Sequence, residues 1–155
     1  MKIKGLVDED VVNYKKTSMY IIFPYCFGFK CGAQCCQNSA LAQEKNIDCD
    51  IDEIIIRYNN NPLTEAIVMG GLEPFDSFSD LLWFVVKFRY DNKTDDIVIY
   101  TGYNEDEIAS EIDELMAYPN IIVKFGRFIP GQKPHYDEVL GVELASDNQY
   151  ARRIS

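Results

Sequence analysis

The chain has 155 residues, 47% of them hydrophobic, and a net charge of −10. That length suits a single domain spanning 1–155, able to bury about 70% of its unfolded-chain surface without disulfides. The acidic balance excludes a nucleic-acid partner, which needs a basic surface, and no apolar run approaches the ~20 residues of a membrane span.

The opening Met1-Lys2-Ile3-Lys4-Gly5-Leu6 lacks the apolar stretch of a secretory signal, so a cytoplasmic protein with no membrane partner is expected. Ser18-Met19-Tyr20-Ile21-Ile22-Phe23 predicts a buried strand, ended by Pro24. A cysteine-rich loop follows at once. Asp50 is placed to cap a helix over Ile51 to Tyr58, with Glu53 as its reciprocal partner. Ala66-Ile67-Val68-Met69 predicts a second strand, stopped by Gly70-Gly71. From Ser77 to Tyr90, Phe78, Leu81, Leu82, Val85 and Val86 repeat at the spacing of one buried helix face. Trp83, Phe84 and Phe88 widen that face beyond what one contact requires, so part of it is a candidate docking surface.

Ile97-Val98-Ile99-Tyr100 predicts a third strand. Asn104 and Glu107 form a capping pair for a helix carrying Ile108, Ile112, Leu115 and Met116. Ile121-Ile122-Val123-Lys124-Phe125 predicts a fourth strand, and the Gly- and Pro-rich tail after Gly126 reads as mostly irregular. Strands alternating with helices imply an α/β fold of βα units around a mainly parallel sheet. In such sheets ligands sit at the carboxyl ends of the strands. The cysteine loop, Gly70-Gly71, Thr101-Gly102 and Gly126 each follow directly after a strand, so all four are expected along one edge.

Of the five cysteines, Cys26, Cys31, Cys35 and Cys36 fall within eleven residues, and Cys49 stands apart. A tight, odd-numbered cluster reads as metal binding rather than a disulfide framework. Thiolates suit zinc or an iron–sulfur cluster. Zinc pairs normally leave two to four residues between cysteines, and Cys35 and Cys36 are adjacent. Three thiolates could instead hold a four-iron cluster with one iron open, or some of the five could be buried small hydrophobes. His135 has no nucleophile partner evident in sequence and reads as a surface residue. Glu105-Asp106-Glu107 reads as a solvated helix start.

Val11-Val12-Asn13-Tyr14, the first strand, and Cys26-x4-Cys31-x4-Cys36-Gln37-Asn38 resemble the start of the activating proteins of anaerobic ribonucleoside-triphosphate reductase. The family's cysteine intervals are shorter, and each loop here carries extra residues. The Gln37-Asn38 flank favours Cys36 as third ligand, with Cys35 as the alternative. Met69-Gly70-Gly71-Leu72-Glu73-Pro74 resembles the family's Gly-Gly-Glu-Pro segment with Leu72 inserted. Tyr100-Thr101-Gly102-Tyr103, Phe125-Gly126-Arg127-Phe128-Ile129 and the Ser146-Asp147-Asn148-Gln149 tail with Arg152 resemble later family segments, in the same order.

The resemblance implies a radical S-adenosylmethionine oxidoreductase, a glycyl-radical-enzyme activase built on a partial, incomplete TIM-type barrel. It implies a [4Fe-4S] cluster held by Cys26, Cys31 and Cys36, and S-adenosylmethionine held by Gly70, Gly71, Glu73, Thr101, Gly102 and Gly126. One electron from an external donor such as flavodoxin would cleave the sulfonium to methionine and a 5′-deoxyadenosyl radical. That radical would take hydrogen from a glycine of the partner reductase, with no side-chain acid or base required. Two alternatives stand beside it: action on another glycyl-radical enzyme or a small substrate, and a non-catalytic zinc or iron–sulfur interaction module.

Overall fold

The computed structural model describes every residue except 28–31 and 33. Strands β1 (Lys2–Ile3), β2 (Gly5–Asp10) and β3 (Ser18–Phe23) open the chain. Beyond the cysteine loop come α1 (Ser39–Gln43), β4 (Ile47–Asp48), α2 (Ile51–Asn59) and β5 (Ala66–Gly71). A 3-10 turn, Pro74–Ser77, leads into α3 (Phe78–Asp91) and β6 (Asp96–Tyr100). A second 3-10 turn, Glu105–Ile108, leads into α4 (Ala109–Leu115) and β7 (Ile121–Phe125). The tail forms β8 (His135–Asp137), β9 (Val142–Leu144) and β10 (Tyr150–Arg153).

Among the described residues six strands make one sheet in the order β10-β7-β6-β5-β3-β2. The neighbours β3, β5, β6 and β7 run parallel, in chain order, while β2 and β10 close the two sides antiparallel. The expected α/β fold with a mainly parallel sheet is therefore present. The sheet stays open and forms no closed barrel. Both edge strands carry charge, Asp8, Glu9 and Asp10 on one and Arg152 and Arg153 on the other, which discourages further strand pairing.

Chain-order pairing means that every crossover steps in one direction, and the right-handed rule then puts the intervening helices on one face. Packing follows that logic with strand period two. Met19, Ile21, Phe23, Ile67, Met69, Ile97, Ile99, Val123 and Phe125 join helix residues Ile54, Leu81, Phe84, Val85, Ile112 and Leu115 in the main core. The alternate residues Ala66, Val68, Val98 and Ile122 face the other way, against Tyr14, Leu140 and Leu144. Burial on both faces explains why β5 reads as an unbroken apolar run rather than an alternating one.

Several local expectations change in the fold. The Asp50 carboxylate accepts the Asp52 N–H at 2.8 Å, in place of the reciprocal pairing expected with Glu53. Glu107 does accept the Asn104 N–H, at 2.8 Å. Phe84 and Phe88 are buried in the domain, which removes most of the surplus apolar face of α3, and Trp83 remains 53% exposed. The tail after Gly126 is mostly irregular, as expected, but it also carries three short strands, β8, β9 and β10. The Asp137 carboxylate accepts the N–H groups of Leu140 and Ala151, both at 2.9 Å, and so ties the β8–β9 hairpin to β10. Strands this short carry too little periodicity to read from sequence. No helix among the described residues is long and apolar enough to cross a membrane.

Candidate functional site

The carboxyl ends of β3, β5, β6 and β7 surround a cavity of about 370 Å³. Cys26, Cys36, Gly71, Glu73, Thr101, Gly102 and Gly126 all line it. The edge expected from the order of strands and turns is thus one wall of one cavity. Gly70 lies just behind: a Cβ there would sit 3.1 Å from Tyr100 Cβ and 3.2 Å from Tyr20 Oη. Its missing side chain is what lets the two tyrosines close over the strand.

The cysteines separate by position. Cys26 and Cys36 are half-buried and reach the cavity, whereas Cys35 is exposed and is not among its lining residues. Cys49 packs against the helix-side core, and its N–H donates to the Met1 carbonyl at 3.0 Å. Cys31 lies outside the described residues. Among those described, no group of three or more His, Cys, Asp or Glu is placed to hold a metal ion. The described part of the loop brings two thiols to the cavity, and a soft donor set of that kind fits an iron–sulfur cluster.

Glu73 holds the turns together. It is 2% exposed, and its carboxylate accepts the Phe75 N–H at 3.2 Å, the Thr101 O–H at 2.8 Å and the Gly102 N–H at 2.8 Å. The first closes the 3-10 turn after β5, and the other two pin the turn after β6. Burial pushes this carboxyl up to about 7, against the pull of its three donors. Gly71 takes a positive φ of 84°, and a Cβ there would lie 2.4 Å from Ile22 Cγ2. The side chain is therefore barred by the β3–β5 contact itself.

The cavity floor is formed on the sheet face away from the helices by Tyr20, Tyr100 and Lys124. Burial pushes the Tyr20 hydroxyl up to about 12 and raises Tyr100 as well. Lys124 is 6% exposed, donates to the Gly126 carbonyl at 2.8 Å and lies 5.9 Å from the centre of the Tyr100 ring. These floor residues are absent from the set of site residues expected from sequence. A signal existed for Lys124, a lone charge inside the apolar run Ile121-Ile122-Val123-Lys124-Phe125.

The tail completes the far wall. Asn148 donates to the Arg127 carbonyl at 2.8 Å, and Gln149 donates to the Gly126 carbonyl at 3.2 Å. Arg127 forks onto Glu107 at 2.8 and 2.6 Å, and Arg152 pairs with Glu105. The acidic helix start is solvated, as expected, and through Glu105 and Glu107 it also anchors the tail. His135 is half-buried in β8 with Nδ1 enclosed and unbonded among the described residues, and it does not line the cavity.

A mainly parallel sheet with thiols and glycine turns converging at its carboxyl edge defines a cofactor-binding α/β protein. Residues 23–149 match the family of 4Fe-4S single cluster domains. The chain belongs to that family and is an iron–sulfur protein. No curated protein and no solved structure gives a significant match.

Proposed function

We propose that the protein is a radical S-adenosylmethionine activase that installs a glycyl radical on anaerobic ribonucleoside-triphosphate reductase. The observation that carries this reading is the meeting of Cys26 and Cys36 with the turns at Gly71, Thr101-Gly102 and Gly126 in one cavity. In this reading the four parallel strands are the core of an incomplete TIM-type barrel. Cys26, Cys31 and Cys36 hold the [4Fe-4S] cluster, and Cys35, exposed and outside the cavity, is the alternative third ligand.

When bound, the cluster supplies one-electron cleavage of S-adenosylmethionine, giving methionine and a 5′-deoxyadenosyl radical that takes hydrogen from a partner glycine. The chain's own residues bind and orient. Gly71 and Gly102 keep two turns of the cavity wall free of side chains. Glu73 and Thr101 lock the two turns to each other. Lys124 places an amine donor in the cavity lining, suited to a carboxylate. Tyr20 and Tyr100 form an aromatic floor that excludes water. No acid–base pair is required of the side chains, because the cofactors carry the bond-breaking step. Electrons come from an external donor such as flavodoxin.

The test is anaerobic reconstitution with iron and sulfide, reduction, and addition of S-adenosylmethionine with and without the reductase. A glycyl radical seen by electron paramagnetic resonance only in the complete mixture is the expected result. Cofactor cleavage without a radical on the reductase would redirect the assignment to another glycyl-radical enzyme or a small substrate. Zinc uptake, or a cluster that never cleaves the cofactor, would leave only an interaction module.

A further inference from the structure

Two polar side chains tie the cysteine loop to the wall that faces it. Asp76, in the 3-10 turn after β5, accepts the Phe27 N–H at 2.5 Å on one carboxylate oxygen. It accepts the Tyr103 O–H at 2.7 Å on the other. Phe27 directly follows Cys26, and Tyr103 belongs to the turn after β6. Asn38, two residues beyond Cys36, donates its side-chain amide to the Gly71 carbonyl at 2.5 Å.

The Asn38 contact is made at the expense of a local one. Asn38 occupies the N-cap position of α1, yet its side chain makes no cap bond. An asparagine there ordinarily accepts from a first-turn N–H and stabilises the helix by about 1 kcal/mol. Here the side chain serves a contact 33 residues away in sequence. Its acceptor sits on the last residue of β5, which is paired in register with Phe23 of β3. The turn also holds the loop on the near side of Cys26, where the Glu73 N–H donates to the Tyr25 carbonyl at 2.7 Å.

We propose that Asp76 and Asn38 are positioning residues for the cluster thiols, Asp76 fixing Cys26 and Asn38 fixing Cys36 against the Gly71 turn. This rests on the cluster reading above. Cysteine ligands in a long loop must converge from a chain with many conformations, and every rotation fixed beforehand lowers the ordering cost of binding. Partners one shell out from the metal do this in other metal sites, where losing one typically costs 10- to 100-fold in affinity. The Asp76 bond joins a carboxylate to an amide and so belongs to the stronger, charge-assisted class.

The experiment uses the full chain with Asp76→Ala, Asp76→Asn, Asn38→Ala and Asn38→Asp, each checked for native far-UV circular dichroism. In cluster-free protein, amide hydrogen exchange in the cysteine loop should quicken roughly tenfold in both alanine variants, the loss of one hydrogen bond. After anaerobic reconstitution, iron release to a chelator should be about 10- to 100-fold faster in both. The resonance spectrum of the reduced cluster should shift with it. Asp76→Asn keeps one acceptor oxygen and should fall between wild type and Asp76→Ala. Asn38→Asp sets an oxygen against the Gly71 carbonyl and should be at least as impaired as Asn38→Ala. Unchanged exchange in the alanine variants overturns the clamps whether or not iron binds. Faster exchange with unchanged iron release and spectrum makes them loop contacts only, and overturns their positioning role. A wild-type chain that takes up no iron sinks the cluster reading itself, which the exchange data alone do not touch.

Discussion

The amino and carboxyl ends of the parallel sheet use polar residues in opposite ways. At the amino end, Asp96 opens β6, is 4% exposed, and accepts Tyr14, Lys16 and Arg153 at 2.9, 2.6 and 2.8 Å. Arg89 donates to the carbonyls of Pro119, Asn92, Asp95 and Asn120 at 2.9, 3.0, 2.8 and 3.2 Å. Both of these buried charges are paired within the protein. At the carboxyl end, Glu73, Asp76 and Asn38 bind turn backbone, and the cavity between those turns stays open to thiols, a lysine and glycine backbone. One end is built to close the fold and the other to hold something. This is the division that βα architecture imposes, with function at the carboxyl face and stability at the amino face.

The two ends also respond to acid with opposite sign. Burial pushes the Asp96 carboxyl up, but the bonds from Lys16, Arg153 and Tyr14 outweigh it and leave it below its ordinary value. Its contribution is therefore present above the ordinary carboxyl range and lost as pH falls through the folded value. Glu73 is raised to about 7. Its contribution is present below the ordinary value of 4.5 and lost as pH rises through about 7.

The sharpest way to break the comparison is at the thiols. Cys36→Ala, like Cys26→Ala and Cys31→Ala, should abolish iron retention after anaerobic reconstitution, while Cys35→Ala and Cys49→Ala keep it. Loss in Cys35→Ala with retention in Cys36→Ala would move the third ligand out of the cavity. At the other end, Asp96→Ala leaves the buried Tyr14 hydroxyl unpaired and removes two ion pairs to half-exposed Lys16 and Arg153, which should cost about 3 kcal/mol in urea unfolding. Iron per folded chain should not change. A loss of cluster in that variant would show that the two ends are not independent.

Glu73→Gln tests the acid response. Wild type should lose stability on going from about pH 5 to pH 8, by roughly 3 kcal/mol over the full titration of Glu73. The variant should be flat in that window. Parallel profiles from urea midpoints would mean that Glu73 ionises normally. The smallest effect is expected at Gly71→Ala, about 2 kcal/mol from the positive φ and the collision with Ile22. A glycine that serves ligand approach alone would instead tolerate alanine in the cofactor-free protein, with binding measured by calorimetry as the casualty.

Much of the carboxyl end was legible in the chain because its signals are local. A strand that stops at Gly70-Gly71 or Phe125-Gly126 announces a turn, and four such stops in a βα pattern must share an edge. The amino end was not legible. Tyr14, Lys16 and Arg153 lie 82, 80 and 57 residues from Asp96 in sequence, and no spacing rule connects them. Nor did periodicity show β2 and β10, since an edge strand is paired on one side only and half of each is charged.

By itself, then, the sequence determined the order of βα units, the edge on which the cysteines and glycine turns meet, and the thiol chemistry placed there. Each of these follows from residue type and near-neighbour spacing. Only the tertiary structure decided that Cys36 lines the cavity while adjacent Cys35 is exposed, because neighbouring residues in a loop diverge according to distant contacts. It also decided that Glu73 turns inward to bind Thr101 and Gly102, and that Tyr20, Tyr100 and Lys124 form one floor. Those groups come from separate strands, and parallel pairing in register is what sets them side by side.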